Sequence, residues 1–274
     1  MPELINPRSE RVRSVRALSG RSVRSRTGRF VVEGPQSVRE AVRYAPDLVR
    51  DLFLTETAAD RYTEIVDAAR ESGVTPRTGS DEVLDAMSPD AQGIVAVLDR
   101  PHASLEDVAA LNPRLVAVLL NVRDPGNAGT VIRAADAAGA DAVVLAGESV
   151  DVLNPKAVRS TAGSLFHLPV VAGASYDDVL GTVHGLGMTV LAADGVGPHD
   201  LDDLLDVAGA PGGAQPDLAA PTAWVFGNEA WGLRPEDRDR ADAVVRVPIR
   251  GRAESLNLAT AATVCLYGSA RAQR

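Results

Sequence analysis

The sequence has one cysteine, Cys265, and one lysine, Lys156, and aromatic residues make up only 4% of it. A single cysteine excludes an internal disulfide and predicts a reducing, cytoplasmic setting. The four histidines show no metal-ligand spacing, so the pattern predicts no metal site. With so few aromatics, we expect a core built from valine, leucine and alanine.

Long apolar runs are also missing. The first residues, MPELINPRSERVRS, have no apolar signal-peptide core, and no segment approaches the roughly 18 apolar residues of a membrane helix. Apolar residues form 45% of the chain and charged residues 24%, as in ordinary globular proteins. The length of 274 residues fits one large domain or two modest ones.

Charge is distributed unevenly along the chain. The net charge is −9, which by itself argues against a nucleic-acid partner. Residues 1–30, however, contain eight arginines and two glutamates and carry +6, which leaves −15 for the remainder. Such a basic arm is suited to binding phosphates, and Arg24, Arg26 and Arg29 are candidate contacts. A solvated, partly disordered tail is the alternative interpretation.

The first hundred residues predict a small α/β domain. We expect a basic helix and then a polar turn over 8–28, followed by strands and helices whose patterns are clear. The predicted strands are FVVEG (30–34), VRDLFLT (49–55) and GIVAVLD (93–99), and the predicted helices are 35–45, 58–73 and 80–88. Residues 100–113 are rich in proline and polar groups and predict a boundary, with domains at 1–105 and 113–274.

From Leu115 onward, short apolar strands alternate with helices. This rhythm predicts a parallel sheet covered on both faces. The segment 195–221, rich in Gly, Pro, Ala and Asp, predicts a surface insertion that is mobile or contains one short helix in DLDDLLDV. The final segment, SLNLATAATVCLYGSARAQR, predicts a helix capped by Ser255.

The stretch NVRDPGNAGTVIRAADAAG (121–139) joins a strand to a helix through a very polar turn. Ligands gather at the carboxyl ends of strands in open α/β sheets, where Asn121 and Asn127 lie. A tight turn at Pro125–Gly126 with Asn127 as helix cap is the purely structural interpretation. Arg133, farther along an alanine-rich helix, either reaches solvent or turns toward the cleft, and its spacing does not distinguish the two.

Two later segments also run from a strand into a polar loop. WVFGNEAWGL (224–233) places Gly227, which lets the backbone approach a ligand closely, beside Glu229. RVPIRGRAESLNLATAA (246–262) leads into a helix whose first N–H groups are free to bind polar atoms. Each segment alone is weak evidence, and the information lies in the order of all three.

In that order, over about residues 113–271, the three segments resemble the motifs of the SpoU-like (TrmH-type) branch of the SPOUT methyltransferases. NPKAVRSTAGSLFHLPV (154–170) is similar to the segment between the first two motifs. RFVVEGPQSVREAV (29–42) resembles an N-terminal α/β RNA-binding domain that is itself like ribosomal proteins gripping kink-turn RNA. The resemblance implies methyl transfer from S-adenosylmethionine to a ribose 2′-hydroxyl in RNA, most readily 23S ribosomal RNA.

The resemblance also implies features that the pattern of strands and helices does not predict. These are a trefoil knot near the C-terminus of the catalytic domain, a homodimer with the active site at its interface, and a cofactor held mainly by backbone. Six positions are implied to line the cofactor pocket: Leu191, Ala193, Gly227, Val247, Ile249 and Leu256.

By the same resemblance, Arg133 acts at the 2′-hydroxyl. Because arginine stays protonated in proteins, we expect it to bind the adjacent phosphate and stabilise the developing alkoxide instead of serving as a general base. The proton then passes to Glu229, to a phosphate oxygen or to water. The other implied catalytic-site residues shape the site or orient its loops: Asn121, Asn127, Ser255 and Asn257. Arg24, Arg26 and Arg29 become candidate RNA contacts.

The chain departs from the family pattern at three places, one of which is the long 195–221 insertion. Leu258 replaces a common valine, and motif two has Ala230 and Trp231 where a simpler Glu-Gly pair is common. Trp231 either stacks on a base or packs beside the knot. Two other functions stay open: a transfer-RNA 2′-O-methyltransferase, and a non-catalytic RNA-binding assembly factor. Resistance to a ribosome-targeting antibiotic is a further possibility within the same reaction.

Overall fold

The computed structural model of the protein describes residues 2–211 and 216–274. Its strands are β1 Arg29–Glu33, β2 Val49–Leu54, β3 Pro76–Thr78, β4 Ile94–Asp99, β5 Leu115–Leu120, β6 Ala142–Ala146, β7 Val170–Ala174, β8 Thr189–Ala193, β9 His199–Asp200, β10 Thr222–Phe226 and β11 Ala243–Arg246. Its α-helices are α1 Glu10–Ala17, α2 Arg21–Thr27, α3 Pro35–Tyr44, α4 Glu56–Arg61, α5 Thr63–Glu71, α6 Asp81–Met87, α7 Leu105–Ala110, α8 Pro125–Ala138, α9 Pro155–Ser160, α10 Tyr176–Gly185, α11 Leu201–Asp206, α12 Pro235–Arg238 and α13 Leu258–Ala272. Short 3-10 helices span Pro46–Leu48 and Ser164–Phe166.

These elements form two compact units. The first contains the chain up to His102 together with Leu153–His167, and the second contains Ala103–Val152 and Leu168–Arg274. The division predicted from the sequence, at 1–105 and 113–274, did not anticipate that 153–167 packs with the first unit. No helix in the described part of the chain is long and apolar enough to cross a membrane.

The first unit is built on a four-stranded sheet in the order β1-β4-β2-β3. Strand β4 is antiparallel to both β1 and β2, and β3 is parallel to β2. The strands predicted at 30–34, 49–55 and 93–99 are present, whereas the short β3 was not predicted. Two predicted helices are each divided in two: the one within 8–28 becomes α1 and α2, which are separated at Ser19–Gly20, and 58–73 becomes α4 and α5, which meet at Tyr62.

Helix α1 explains how a basic segment can be ordered. Val12, Val15 and Leu18, spaced three residues apart, are buried in one core cluster with residues of α6 and the sheet. The arginines between them face outward. In the next helix, α2, one arginine is buried instead. Arg24 is only 4% exposed, and its Nη1 donates hydrogen bonds to the carbonyl oxygens of Leu18 and Ser19 at 2.9 and 2.6 Å. Its guanidinium thus helps to terminate α1, which corrects its assignment as an RNA contact.

An ion pair and a histidine–carboxylate contact hold the segment 153–167 in the first unit. The guanidinium of Arg159 in α9 donates to the buried carboxylate of Glu33, which also accepts a hydrogen bond from the Ser88 hydroxyl. Nε2 of His167 lies 3.2 Å from a carboxylate oxygen of Glu40. A buried carboxylate is stable only with such partners, so Arg159 is a structural part of this unit.

The second unit contains a seven-stranded sheet in the order β7-β6-β5-β10-β8-β11-β9. Every pairing in it is parallel, as the strand-helix rhythm predicts. The segment 195–221 contains the predicted short helix, α11, and the unpredicted edge strand β9. Leu201, Leu204 and Leu218 of this segment are buried, so it packs against the core. Residues 212–215 of the predicted insertion lie outside the described residues.

The register aligns four strand ends at one edge of the sheet. Phe226 at the end of β10 pairs with Leu119 of β5 and with Ala193 of β8, and Ala193 pairs in turn with Val245 of β11. The loops after these four strands therefore leave the sheet side by side. Helix α13 packs against α8 and under β10, where the Trp224 indole donates to the Ser269 hydroxyl at 2.8 Å.

Candidate active site

The first polar loop begins with a left-handed residue. Asn121 follows β5 with a φ of 57°, a region that asparagine tolerates better than most residues. Its side-chain oxygen accepts a hydrogen bond from the backbone N–H of Glu148 at 2.9 Å, and its carbonyl accepts from the Asn228 amide at 2.8 Å. Asn121 therefore fastens the β5 loop to the loops after β6 and β10.

Helix α8 begins one turn earlier than expected. Asp124, not Asn127, is its cap: the Asp124 carboxylate accepts from the backbone N–H of Asn127 at 2.8 Å, and Pro125 is the first helical residue. The side chain of Asn127 is thereby available for other contacts. Its oxygen accepts from the side-chain amide of Asn257, in the loop after β11, at 3.1 Å.

Glu229 joins the second loop to the first. Its two carboxylate oxygens accept the backbone N–H groups of Arg123 and Asp124, at 3.1 and 2.9 Å. The Asn127 amide approaches the same carboxylate at 3.5 Å. A carboxylate that accepts two backbone N–H groups at a helix start is held by charge-assisted hydrogen bonds and by the helix dipole.

The third loop reaches the same place through Asn257. This residue is the cap of α13, because its side-chain oxygen accepts from the N–H of Ala259 at 2.8 Å. The predicted cap, Ser255, lies two residues earlier in exposed loop, and the prediction of its capping role was wrong. The side chain of Asn257 thus serves two purposes, since its oxygen caps α13 and its amide contacts Asn127.

Arg133 stands apart from this network. It lies on the exposed face of α8, one turn after Thr130, and its side chain has no hydrogen bond or ion pair with any residue that the structure describes. The sequence left two orientations open, and the structure places the side chain on the solvent side of the helix. Its guanidinium is therefore free to meet an external anion.

The six positions implied for the cofactor pocket separate into groups. Ala193, Gly227 and Val247 lie at or just beyond the aligned carboxyl ends of β8, β10 and β11. Ile249 and Leu256, on the loop after β11, are 40% and 37% exposed. Leu191 is completely buried within β8, so it supports the edge from inside the sheet.

These residues fit a nucleoside cofactor. Exposed apolar side chains suit a flat base, and the strand ends supply backbone groups for its polar atoms. Gly227 must stay without a side chain, because a Cβ atom there would lie 2.3 Å from the carbonyl carbon and oxygen of Gly232. The Gly227 backbone can therefore come this close only as glycine. Within residues 2–211 and 216–274, no group of three or more His, Cys, Asp or Glu side chains could hold a metal ion.

The sequence predicts no role for Asn228 or Asp124 and leaves two roles open for Trp231. Asn228 is buried and links the first and second loops through its amide, a role that its position beside Glu229 did not reveal. Trp231 is 48% exposed, and the guanidinium carbon of Arg123 lies 5.9 Å from its ring centroid. Asp124 could have been recognised, because an aspartate directly before proline is a strong helix-start signal.

The fold and site define an α/β protein with a polar ligand site at the carboxyl edge of a parallel sheet, where strand order reverses between β5 and β10. Residues 114–267 match the SpoU rRNA Methylase family, and residues 31–103 match the RNA 2′-O ribose methyltransferase substrate-binding family.

Curated relatives and solved structures agree with these matches. A 23S rRNA (uridine(2479)-2′-O)-methyltransferase of Streptomyces viridochromogenes is 34% identical, with 97% of this chain and 91% of the relative covered. The 23S rRNA (guanosine(2553)-2′-O)-methyltransferase RlmP of Bacillus subtilis is 32% identical, with 97% and 98% covered. An AdoMet-bound rRNA methyltransferase structure from Sinorhizobium meliloti has a TM-score of 0.81 at 28% identity, covering 98% of this chain and 97% of that one.

The chain belongs to the SpoU rRNA methylase family. The family and the enzyme class predicted from the three motifs are confirmed, and S-adenosylmethionine is confirmed as the cofactor of the family. The α/β fold with a parallel catalytic sheet and a small N-terminal domain is confirmed as well.

Proposed function

We propose that this protein transfers a methyl group from S-adenosylmethionine to a ribose 2′-hydroxyl of 23S ribosomal RNA. The observation that carries the proposal is the joining of three separate loops by Glu229 and Asn257. The relatives described above are named for this reaction on this RNA, which supports the choice of substrate. They are named for a uridine and a guanosine, so they support no particular target nucleotide.

The chain's own residues align the reactants and stabilise charge. S-adenosylmethionine, when bound, supplies a methyl group already activated by its sulfonium. Ala193, Gly227, Val247, Ile249 and Leu256 are the residues that would hold it. The unpaired guanidinium of Arg133 binds the phosphate beside the target ribose and stabilises the alkoxide as the 2′-oxygen attacks.

Glu229 holds the loops and does not accept the proton. Both of its oxygens already accept backbone N–H groups, so proton transfer to it would weaken the bonds to Arg123 and Asp124. The proton of the 2′-hydroxyl leaves instead to a phosphate oxygen or to water. Asn121, Asn127 and Asn257 set the loop positions. Ser255 lies in the exposed loop before α13, which approaches the substrate.

The catalytic unit works as a knotted homodimer in the cytoplasm. Insertion of β10 between β5 and β8, with α13 packed against α8, supports a chain that passes through an earlier loop to form a trefoil knot. Val264 and Tyr267 on α13 are exposed apolar side chains, which supports pairing of this helix with a second copy. A second copy would also complete the surroundings of Arg133.

The basic arm brings the RNA to the enzyme. Five exposed arginines of α1 and α2 have no ion pair to any residue that the structure describes: Arg11, Arg13, Arg16, Arg21 and Arg26. A groove of about 630 Å³ lies beside these helices, and Arg11, Arg26 and Arg29 line it. Arg29 is partly engaged, with Asp99 at 3.3 Å. Unpaired guanidinium groups beside a groove favour binding of the phosphate backbone.

Mapping of 2′-O-methyl groups tests the proposal. Total RNA from cells with and without the protein is compared, and purified protein is given unmodified 23S rRNA, transfer RNA and tritiated cofactor. We expect one protein-dependent site in 23S rRNA. Methylation of transfer RNA alone would make it a transfer-RNA enzyme. Binding to 23S rRNA without transfer of label would make it a non-catalytic assembly factor.

Arg133→Ala tests the role of the arginine. We expect the turnover number to fall by about two orders of magnitude or more, as for loss of one oxyanion-stabilising donor. The affinity for S-adenosylmethionine, measured by calorimetry, should change less than about threefold, because other loops form the pocket. Arg70→Ala, at an exposed position on α5 of the first unit, is the matched control. Normal turnover by Arg133→Ala would remove Arg133 from the mechanism.

A further inference from the structure

The two tryptophans of this chain lie in opposite environments. Trp224 is completely buried and its indole N–H donates to Ser269, whereas Trp231 is 48% exposed. A buried tryptophan needs no functional explanation. A half-exposed one leaves a large apolar ring in water, and here it lies two residues from Glu229.

The backbone holds Trp231 in a fixed position. Asn228 and Gly232 exchange N–H to carbonyl hydrogen bonds of 2.9 Å in both directions, which closes a small hairpin whose three-residue loop ends with Trp231. The Asn228 side chain accepts from the N–H of Ala230 at 2.8 Å and donates to the Asn121 carbonyl at 2.8 Å. The ring is therefore presented by a rigid turn, and little conformational entropy is lost when it binds.

The guanidinium of Arg123 lies beside the Trp231 ring. The guanidinium carbon of Arg123 lies 5.9 Å from the Trp231 centroid, and its Nη2 lies 2.8 Å from the Glu148 carboxylate. The backbone N–H of the same arginine donates to Glu229. Aromatic ring, guanidinium and catalytic-site loop thus form one exposed surface. An aromatic face beside a positive charge suits a nucleobase with its phosphate.

We propose that Trp231 and Arg123 form a stacking platform for one nucleobase of the RNA, next to the ribose that is methylated. The inference rests on the proposed function, because it assumes that RNA enters at the loops joined by Glu229. Stacking tolerates every base, so the platform orients the RNA strand without selecting the base. Two other occupants of this surface, a packed neighbouring loop and a second copy of the chain, are outcomes of the test.

Tryptophan fluorescence gives a direct readout, because Trp224 is shielded from solvent. In the free protein, we expect acrylamide to quench the emission of one of the two tryptophans. Addition of unmodified 23S rRNA transcribed in vitro should quench that emission and protect it from acrylamide. Trp231→Leu, which retains only Trp224, should show neither response and also corrects for absorption by the RNA. Emission that acrylamide does not reach in the free protein would mean that protein covers Trp231, and would overturn the proposal.

Kinetics separate stacking from packing. Trp231→Leu keeps apolar volume without an aromatic face, and we expect it to raise the KM for 23S rRNA about fivefold to a hundredfold, the range for loss of one base stack. Trp231→Tyr should stay within about threefold of the wild type. The Kd for S-adenosylmethionine and the melting temperature should be unchanged in both variants. An unchanged KM in Trp231→Leu, or an equal loss in both variants, would contradict a stacking role.

Different outcomes overturn the proposed function and the stacking platform. If the wild type methylates no ribose, the proposed function fails, and the fluorescence titration still decides whether 23S rRNA covers Trp231. If the wild type methylates 23S rRNA and Trp231→Leu does so with the same KM, only the platform fails.

Discussion

Glu229→Gln tests how the three loops are held together. Glu229 accepts two backbone N–H groups at 3.1 and 2.9 Å, one per carboxylate oxygen. Glutamine has a single acceptor oxygen, so one of these N–H groups would face an amide that cannot accept its hydrogen bond. A hydrogen bond to a charged group contributes about 1.5–3 kcal/mol. Because Glu229 is exposed, water replaces part of the lost bond, and we expect a loss of about 1–2 kcal/mol.

That loss predicts a measurable shift in unfolding. For a unit of about this size, 1 kcal/mol lowers the melting temperature by about 2–4 °C, so the variant should melt roughly 2–8 °C below the wild type. Methyl transfer to 23S rRNA should fall tenfold or more, because the loop that carries Asn127 loses the support of the carboxylate, and Asn257 is held through Asn127. Glu71→Gln, which removes the same charge at the exposed end of α5, should match the wild type in both assays. If Glu229→Gln also matches it, the carboxylate does not hold the loops.

Three other changes give further expectations. Gly227→Ala places a Cβ 2.3 Å from Gly232, so the loop must open, which costs about 1–3 kcal/mol of stability. Calorimetry should show loss of S-adenosylmethionine binding. Retained binding would contradict the close approach. Burial raises the pKa of the Cys265 thiol, so a thiol reagent at pH 8 should label the chain only in denaturant, and rapid labelling of the folded protein would refute burial. The hydrogen bond from Arg50 lowers the pKa of Asp99, so its stabilising effect is present above about pH 4 and is lost as the pH falls through the lowered value. Asp99→Asn should therefore be less stable by under about 1 kcal/mol at pH 7 in urea titrations, and the difference should shrink as the pH is lowered from 4 to 2. A difference that does not shrink in acid would exclude this pair as its cause.

The sequence predicted the regular elements well because their signals are local. Continuous apolar runs gave the strands, and glycine, proline and small polar residues marked many of the helix ends. The division between α4 and α5 was missed because Tyr62 has no helix-breaking chemistry, although its φ of −115° and ψ of 51° interrupt the helix. The short β3 has no apolar pattern of its own and exists through its pairing with β2.

The site was predictable only in part. Three motifs in order were sufficient to name its residues, whereas the partner of each side chain depends on long-range contacts that spacing does not encode. Asn127 and Asn257 are separated by 130 positions and share a hydrogen bond. Arg24 has the same composition signal as its neighbours in the basic arm, and only the fold shows that its guanidinium is buried. Residue type thus predicted the chemistry, and the sheet register determined which groups meet.

The most direct test of the central claim is the chemical position of the transferred methyl group. Unmodified 23S rRNA is incubated with the protein and tritiated S-adenosylmethionine, digested completely to nucleosides, and separated by chromatography. We expect the label to elute with a single 2′-O-methylnucleoside, and we expect Arg133→Ala to yield about a hundredth as much or less in the same time. Label on a base, or equal label from the Arg133→Ala variant, would contradict the claim.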